Sequence, residues 1–198
     1  MTRMTRRSFV AGLALWPSLG AAQSVMIPYA LAPKGTSVGF TFDLSGVAQS
    51  GTMPIQSANI QLDTKRLQNS KIDVILNVAA ARTRLPFARG PMLGESVLNA
   101  DAHPTIRFTS TKIQLGPGGR ISDGASIRGD LTVRGITRPL TLNAALYRAP
   151  GSAADDLDAL SIQLTGALDR HAYGASGYPD LVDDTVGLNI QAQITRLN

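Results

Sequence analysis

The chain has 198 residues, a formal net charge of +5, 43% hydrophobic residues, 5% aromatic residues and no cysteine. That length suits one domain plus processing segments. Without cysteine the chain has no disulfide, thiolate metal site or cysteine nucleophile, and an anchor attached to a cysteine is not expected.

Residues 1–22 read as a cleavable signal peptide. Arg3, Arg6 and Arg7 precede an apolar run from Phe9 to Leu19, and Gly20-Ala21-Ala22 supplies small residues ahead of Gln23. The run is shorter than the ~20 residues needed to span a bilayer. Thr5-Arg6-Arg7-Ser8-Phe9-Val10-Ala11 is similar to the twin-arginine export signal. The lysine frequent in that motif is absent, so the general secretory route also fits. Removing the segment leaves 16 basic against 14 acidic side chains, a net charge of +2. The remaining chain has no basic run interleaved with aromatics, so nucleic acid is not an expected partner.

The rest, residues 23–198, alternates apolar and polar residues with period 2, the mark of strands with one face on an apolar interior. Pro33-Lys34-Gly35 is a turn, followed by Val38, Phe40 and Phe42 on one face of a strand. Gly46 to Thr52 reads as a loop. Ala58, Ile60 and Leu62 mark a second strand, and Ile72, Val74, Leu76 and Val78 a third, within Lys71 to Ala81. Residues 82–103 lose the alternation and read as a helical or irregular crossover interrupted by Gly90-Pro91. Pro104 to Leu115 is a strand whose inward residues shift from Ile106 and Phe108 to Ile113 and Leu115, which predicts a bulge. Gly116-Pro-Gly-Gly119 is a turn.

Residues 124–146 read as a hairpin. Ile127, Leu131 and Val133 share one face, Gly135 serves the turn, and Leu140, Leu142, Ala144 and Leu146 repeat the pattern. Pro139 belongs at a strand start or an edge. After an acidic, alanine-rich loop from Gly151 to Asp158 come Leu160, Ile162, Leu164 and Leu168 on one strand. A loop from Arg170 to Asp184 leads to Val186, Leu188, Ile190, Ala192 and Ile194 on the last. About eight strands with no intervening helices predict an all-β, antiparallel sheet that closes into a barrel. Eight strands enclose a space that side chains can fill or that holds one small ligand. The aliphatic inner face suits both.

Catalytic and metal signals are weak. His103 and His171 lack any metal-ligand spacing, and no nucleophile elbow or ordered triad is visible. Asp155-Asp156 and Asp183-Asp184 read as solvated loop residues. Gly166-Ala-Leu-Asp-Arg-His-Ala-Tyr-Gly174 is more informative, because Asp169 and Arg170 end an apolar strand and lead into an aromatic, glycine-bearing loop. Arg170 there could meet a polar head group, or pair with Asp169 at the surface.

Several blocks then resemble one family. They are Tyr29 with Ser37-Val38-Gly39-Phe40, Pro104-Thr-Ile-Arg-Phe-Thr-Ser110, Gly129-Asp-Leu-Thr-Val-Arg-Gly-Ile-Thr-Arg-Pro-Leu-Thr-Leu142, Gly166-Ala-Leu-Asp-Arg170 with Tyr173-Gly174, and Asp183-Asp184-Thr-Val-Gly-Leu-Asn-Ile190. In this order they are similar to the YceI-like, polyisoprenoid-binding family. Gly35-Thr36 stands where the family pattern has histidine. The resemblance implies an eight-stranded antiparallel lipocalin-like barrel with a short helical crossover, exported to the periplasm without a membrane anchor. It implies an apolar interior that holds a long isoprenoid chain, such as a polyprenyl or quinone tail, and no catalytic residues.

On that reading Phe40, Phe42, Ile106, Phe108, Leu131, Val133, Leu142, Leu164, Leu188 and Ile190 line the tunnel, and Asp169, Arg170 and Tyr173 are polar residues at its mouth. No cofactor other than the bound isoprenoid lipid and no metal are expected. The expected partners are an isoprenoid or quinone lipid, a membrane cytochrome or membrane surface for lipid exchange, and a second copy of the chain as a homodimer. Two competing readings are a ligand-free, stress-related barrel and a small hydrolase or isomerase using Asp169, Arg170 or His171. Trp16, the one tryptophan, lies in the signal-like segment. The exported protein is therefore expected to show no tryptophan emission, and a strong indole signal from it would contradict removal of that segment.

Overall fold

The computed structural model describes residues 25–119, 123–148, 151–153 and 156–197. The signal-like segment, with Trp16, and Asp155 lie outside the described residues. Eleven strands form one antiparallel sheet. They are β1 (Met26–Leu31), β2 (Ser37–Leu44), β3 (Val47–Thr52), β4 (Ile55–Asp63), β5 (Lys71–Asn77), β6 (Arg82–Thr83), β7 (Thr105–Leu115), β8 (Ala125–Val133), β9 (Ile136–Arg148), β10 (Ala159–Asp169) and β11 (Thr185–Arg196). Eight of them close a ring in the order β1-β4-β5-β7-β8-β9-β10-β11, with β1 pairing back onto β11. The chain is therefore a closed eight-stranded barrel, as the alternation predicts.

The three extra strands have a simple origin. β1 and β2 are two halves of one bent strand that share the edge of β11: Tyr29 to Leu31 pairs with Arg196 to Ile194, and Ser37 to Thr41 pairs with Gln191 to Gly187. The bend at residues 32–36 is held by Ala32 N–H donating to Gln193 O at 2.7 Å and by Gln193 N–H donating to Thr36 Oγ1 at 3.1 Å. β3 and β4 bend in the same way at Met53-Pro54 (Met53 N–H to Val38 O, 2.9 Å). β3 pairs with β2 along its length and, at Gly51 and Thr52, with β6.

Two sequence expectations need correction. Val47–Thr52 is a strand, not a loop; Met26–Leu31, which carried no assignment from the sequence, is also a strand. Val47-Ala-Gln-Ser-Gly-Thr52 has no apolar alternation, so its extended form comes from backbone pairing with β2 on one edge and β6 on the other. The third strand is also shorter than the expected Lys71–Ala81. It ends at Asn77, after which Ala81 N–H closes a turn on Val78 O.

Elsewhere the sequence pattern is followed closely. The register of β7 against β8 shifts between Ser110 and Lys112, the bulge expected from the change of inward face. The hairpin β8–β9 turns through Arg134 (φ +52°) and Gly135 (φ +75°), the two left-handed residues that a type I′ turn requires. Pro139 lies inside β9 but faces β8 alone, because pairing of β9 with β10 begins only at Asn143. The crossover from 78 to 104 contains β6, a 3-10 turn (Pro86–Ala88) and one short helix, α1 (Arg89–Leu93). Among the described residues no helix is long and apolar enough to cross a membrane.

The two ends of the barrel differ. At one end Tyr29, Ile60, Leu62, Leu160 and Ile194 pack together in a buried cluster. The 63–71 connection beside them is organised by Asp63, which is buried. Asn69 Nδ2 donates to its Oδ2 at 3.1 Å, and the Arg66 and Lys65 amides donate to Oδ1 at 2.9 and 3.1 Å. The Asn69 hydrogen bond holds the carboxyl below its ordinary pKa, against the opposing effect of burial, with the two amides adding to the lowering. A lowered pKa stabilises the fold fully above the unfolded-chain value of about 3.9, and the stabilisation is lost as pH falls through the folded value. Asp63→Asn is expected to melt below the parent protein at pH 7, with the gap narrowing below about pH 4. A gap in melting temperature that stays constant with pH would contradict this role.

Candidate functional site

The interior holds an apolar cavity of about 440 Å³, within the ~300–1,000 Å³ typical of ligand sites. Its wall is built from alternate residues of the ring strands and of β2. Phe40, Phe42, Ile106, Phe108, Leu131, Val133, Leu142, Leu164, Leu188 and Ile190 all face it. The structure thus brings together, around one space, the ten residues that the sequence places on inner faces.

The cavity stays open because its large rings lie against the wall. Phe40 sits opposite Gly51 in the β2–β3 register, and its ring occupies the place where a side chain at Gly51 would stand. Phe108 covers Gly129 of β8 in the same way. A glycine in a strand interior marks such a close approach. Phe40 and Phe42 stack with ring centroids 6.2 Å apart. Gly51 and Gly129 therefore shape the site, although sequence reasoning did not single them out. The available signal was a glycine at an inward position beside a cross-strand phenylalanine.

The second end of the barrel carries the mouth. It is covered by the crossover and by the 170–184 loop. Phe87, Tyr178 and Leu181 line the cavity yet are 72%, 45% and 51% exposed, so they form its rim. Pro91 and Tyr178 border both the cavity and an open outer groove that also contacts Glu95, Ser96 and Arg134.

Arginines fix these covering segments. Arg89 donates to Ala79 O (2.7 Å) and Ala81 O (3.1 Å), and Arg134 to Glu95 O (2.5 Å) and Val97 O (2.8 Å). Arg170 does the most. Its Nε donates to Asp183 O (2.9 Å), Nη1 to Ala175 O and Gly177 O (both 2.7 Å), and Nη2 to Val182 O (2.8 Å). The planar fork of guanidinium donors suits this set of carbonyls.

The three polar residues expected at the mouth thus take different positions. Arg170 is at the cavity end but is 4% exposed and committed to backbone carbonyls. It is neither a free head-group ligand nor the partner of Asp169, both of which the sequence had left open. Asp169 is exposed and accepts a hydrogen bond from the His171 amide at 2.8 Å. Tyr173 is buried against the cavity, and burial raises its phenol pKa, opposed by the charge of Arg138. His171 pairs with Asp184 through Nε2, 2.7 Å away. Asp169, Arg170 and His171 thus face separate partners and do not converge on one point. No cluster of three or more His, Asp or Glu side chains suited to a metal occurs among the described residues.

Comparison with known proteins fits this architecture. The YceI-like domain family matches residues 29–194. A UPF0312 protein of Pseudomonas putida is 25% identical over 194 residues, covering 96% of this chain and 97% of that protein. BcnA of Burkholderia cenocepacia has the same fold with a TM-score of 0.68 at 15% identity, over 80% of this chain and 95% of that one. A polyisoprenoid binding domain from Saccharophagus degradans, implicated in plant cell wall breakdown, superposes with a TM-score of 0.60 at 10% identity, over 86% and 99%.

Replacing Arg170 tests how the mouth is held. Arg170→Met leaves buried carbonyls without donors and is expected to cost about 1–3 kcal/mol in urea denaturation, with faster amide exchange at Gly177 and Val182. Arg170→Lys should recover only part of the loss, because an ammonium cannot reproduce the fork. A lysine variant as stable as the parent would contradict this account.

Proposed function

The chain belongs to the YceI-like family, and from that premise we propose that it is a binding protein that carries a long isoprenoid lipid, of polyprenyl or quinone type, inside its barrel. The cavity is the observation that carries this reading. Its wall is aliphatic and aromatic along the strands, and it runs from the buried Leu62 and Ile194 to the exposed Phe87–Leu181 rim. That shape suits a chain entering tail first.

The energetics favour an occupied interior. Each CH₂ moved from water into an apolar site gains ~0.8 kcal/mol, so a tail of several isoprene units has a large incentive to enter. The likeness to a polyisoprenoid binding domain from Saccharophagus degradans supports the same ligand class. The signal-like residues 1–22 support export to the periplasm, where such a carrier would meet its lipid at a membrane surface or a membrane protein. The separate partners of Asp169, Arg170 and His171 favour binding over catalysis.

Leu164 lines the cavity opposite Ala144 and is half-buried, so it can be enlarged inward. Leu164→Trp is expected to fold and to weaken uptake of an added polyprenol or polyprenyl quinone by at least about tenfold, the equivalent of two displaced CH₂ groups. Uptake unchanged from the parent protein would count against a ligand in this space.

A further inference from the structure

The cavity is polar at one end only. Among the described side chains that line it, only Arg170, Tyr173 and Tyr178 carry a nitrogen or oxygen atom, and all three belong to the 170–184 segment. Arg170 spends its donors on four carbonyls. Tyr178 stands at the exposed rim, its backbone in the left-handed region at φ +57°. Tyr173 is different: it is 3% exposed and packed in the cluster that includes Leu131, Val133 and Leu140.

The Tyr173 hydroxyl has no hydrogen-bond partner among the described residues. Buried tyrosines normally satisfy their O–H. Every described side-chain nitrogen or oxygen that is sealed from solvent has a partner, so the Tyr173 oxygen is not sealed, and Tyr173 is one of the residues that line the cavity. Burial raises the phenol pKa, which keeps the group protonated and able to donate at neutral and mildly alkaline pH.

We propose that Tyr173 recognises an oxygen atom at the head of the lipid, so that the ligand lies with its oxygen-bearing end at the 170–184 loop and its tail toward Leu62 and Ile194. The proposal rests on the carrier reading above and adds the ligand's orientation and one determinant of specificity. The shared chemistry is a single oxygen within hydrogen-bond reach, which a quinone carbonyl or a prenol hydroxyl supplies. A plain hydrocarbon lacks it. A site built to hydrogen-bond such an oxygen discriminates against the analogue without it, because the polar group is then left unpaired.

The test is equilibrium binding to the full chain, as the parent protein and as Tyr173→Phe, of three probes: a polyprenyl quinone, a polyprenol and the hydrocarbon squalene. Tyr173→Phe keeps the ring and removes only the hydroxyl. It is expected to weaken the quinone or the polyprenol by about three- to tenfold and to leave squalene unchanged. Loss with the quinone alone assigns the oxygen as a carbonyl, and loss with the polyprenol alone assigns it as an alcohol. Equal weakening of all three probes would mean that the residue acts only through packing, and no weakening of any would mean that the hydroxyl is idle; either result overturns the proposal. If the parent protein takes up none of the three probes, the carrier reading itself fails.

Discussion

Everything in this molecule depends on how the last strand closes the sheet. β11 gives the end of its free edge to β1 and the start of it to β2, so one bent strand covers the whole edge. Closure joins the first and last strands of the ring and fixes their number at eight, with an unpaired edge where β9 precedes Asn143. That number sets the interior width, a space just large enough to be filled by side chains or by one guest. Which of the two occurs is decided by residue size and by where the rings lie. The inner face here is mostly leucine, isoleucine and valine, and Phe40 and Phe108 rest over Gly51 and Gly129 instead of reaching across.

The second constraint is backbone satisfaction at the mouth. The 170–184 loop is long for a compact domain, and its inner carbonyls are turned away from water, so each requires a donor. Arg170 supplies four hydrogen bonds from one side chain, and Gly177 N–H ties the loop to the crossover through Ser96 O at 2.8 Å. This leaves a mouth with a fixed frame and an apolar rim. The Arg170 guanidinium is committed to backbone carbonyls, and Tyr173 is a second buried polar side chain that lines the cavity.

Much of this was legible in the sequence, for a physical reason. Where a strand has one face on the interior, period-2 alternation writes that face directly, and β8, β9, β10 and β11 were read from it together with the β7 bulge. Val47–Thr52 escaped because pairing on both edges, and not side-chain burial, makes it a strand. The role of Arg170 escaped because its partners are backbone carbonyls, which have no sequence signature. Its position at the end of an apolar strand was visible; its burial was not. Tyr173 stood among the mouth residues by family resemblance, but an unpartnered hydroxyl is a property of packing in three dimensions. The choice between a solid core and a cavity was also beyond alternation, since both use the same aliphatic face.

The central claim is that the barrel is built around a lipid, and native mass spectrometry of protein purified from cells without detergent tests it most directly. One isoprenoid-type adduct per chain is expected, which disappears on organic extraction and returns when a polyprenyl quinone or polyprenol is supplied. A bare chain mass under native conditions, with no uptake from either supplied lipid, would contradict it.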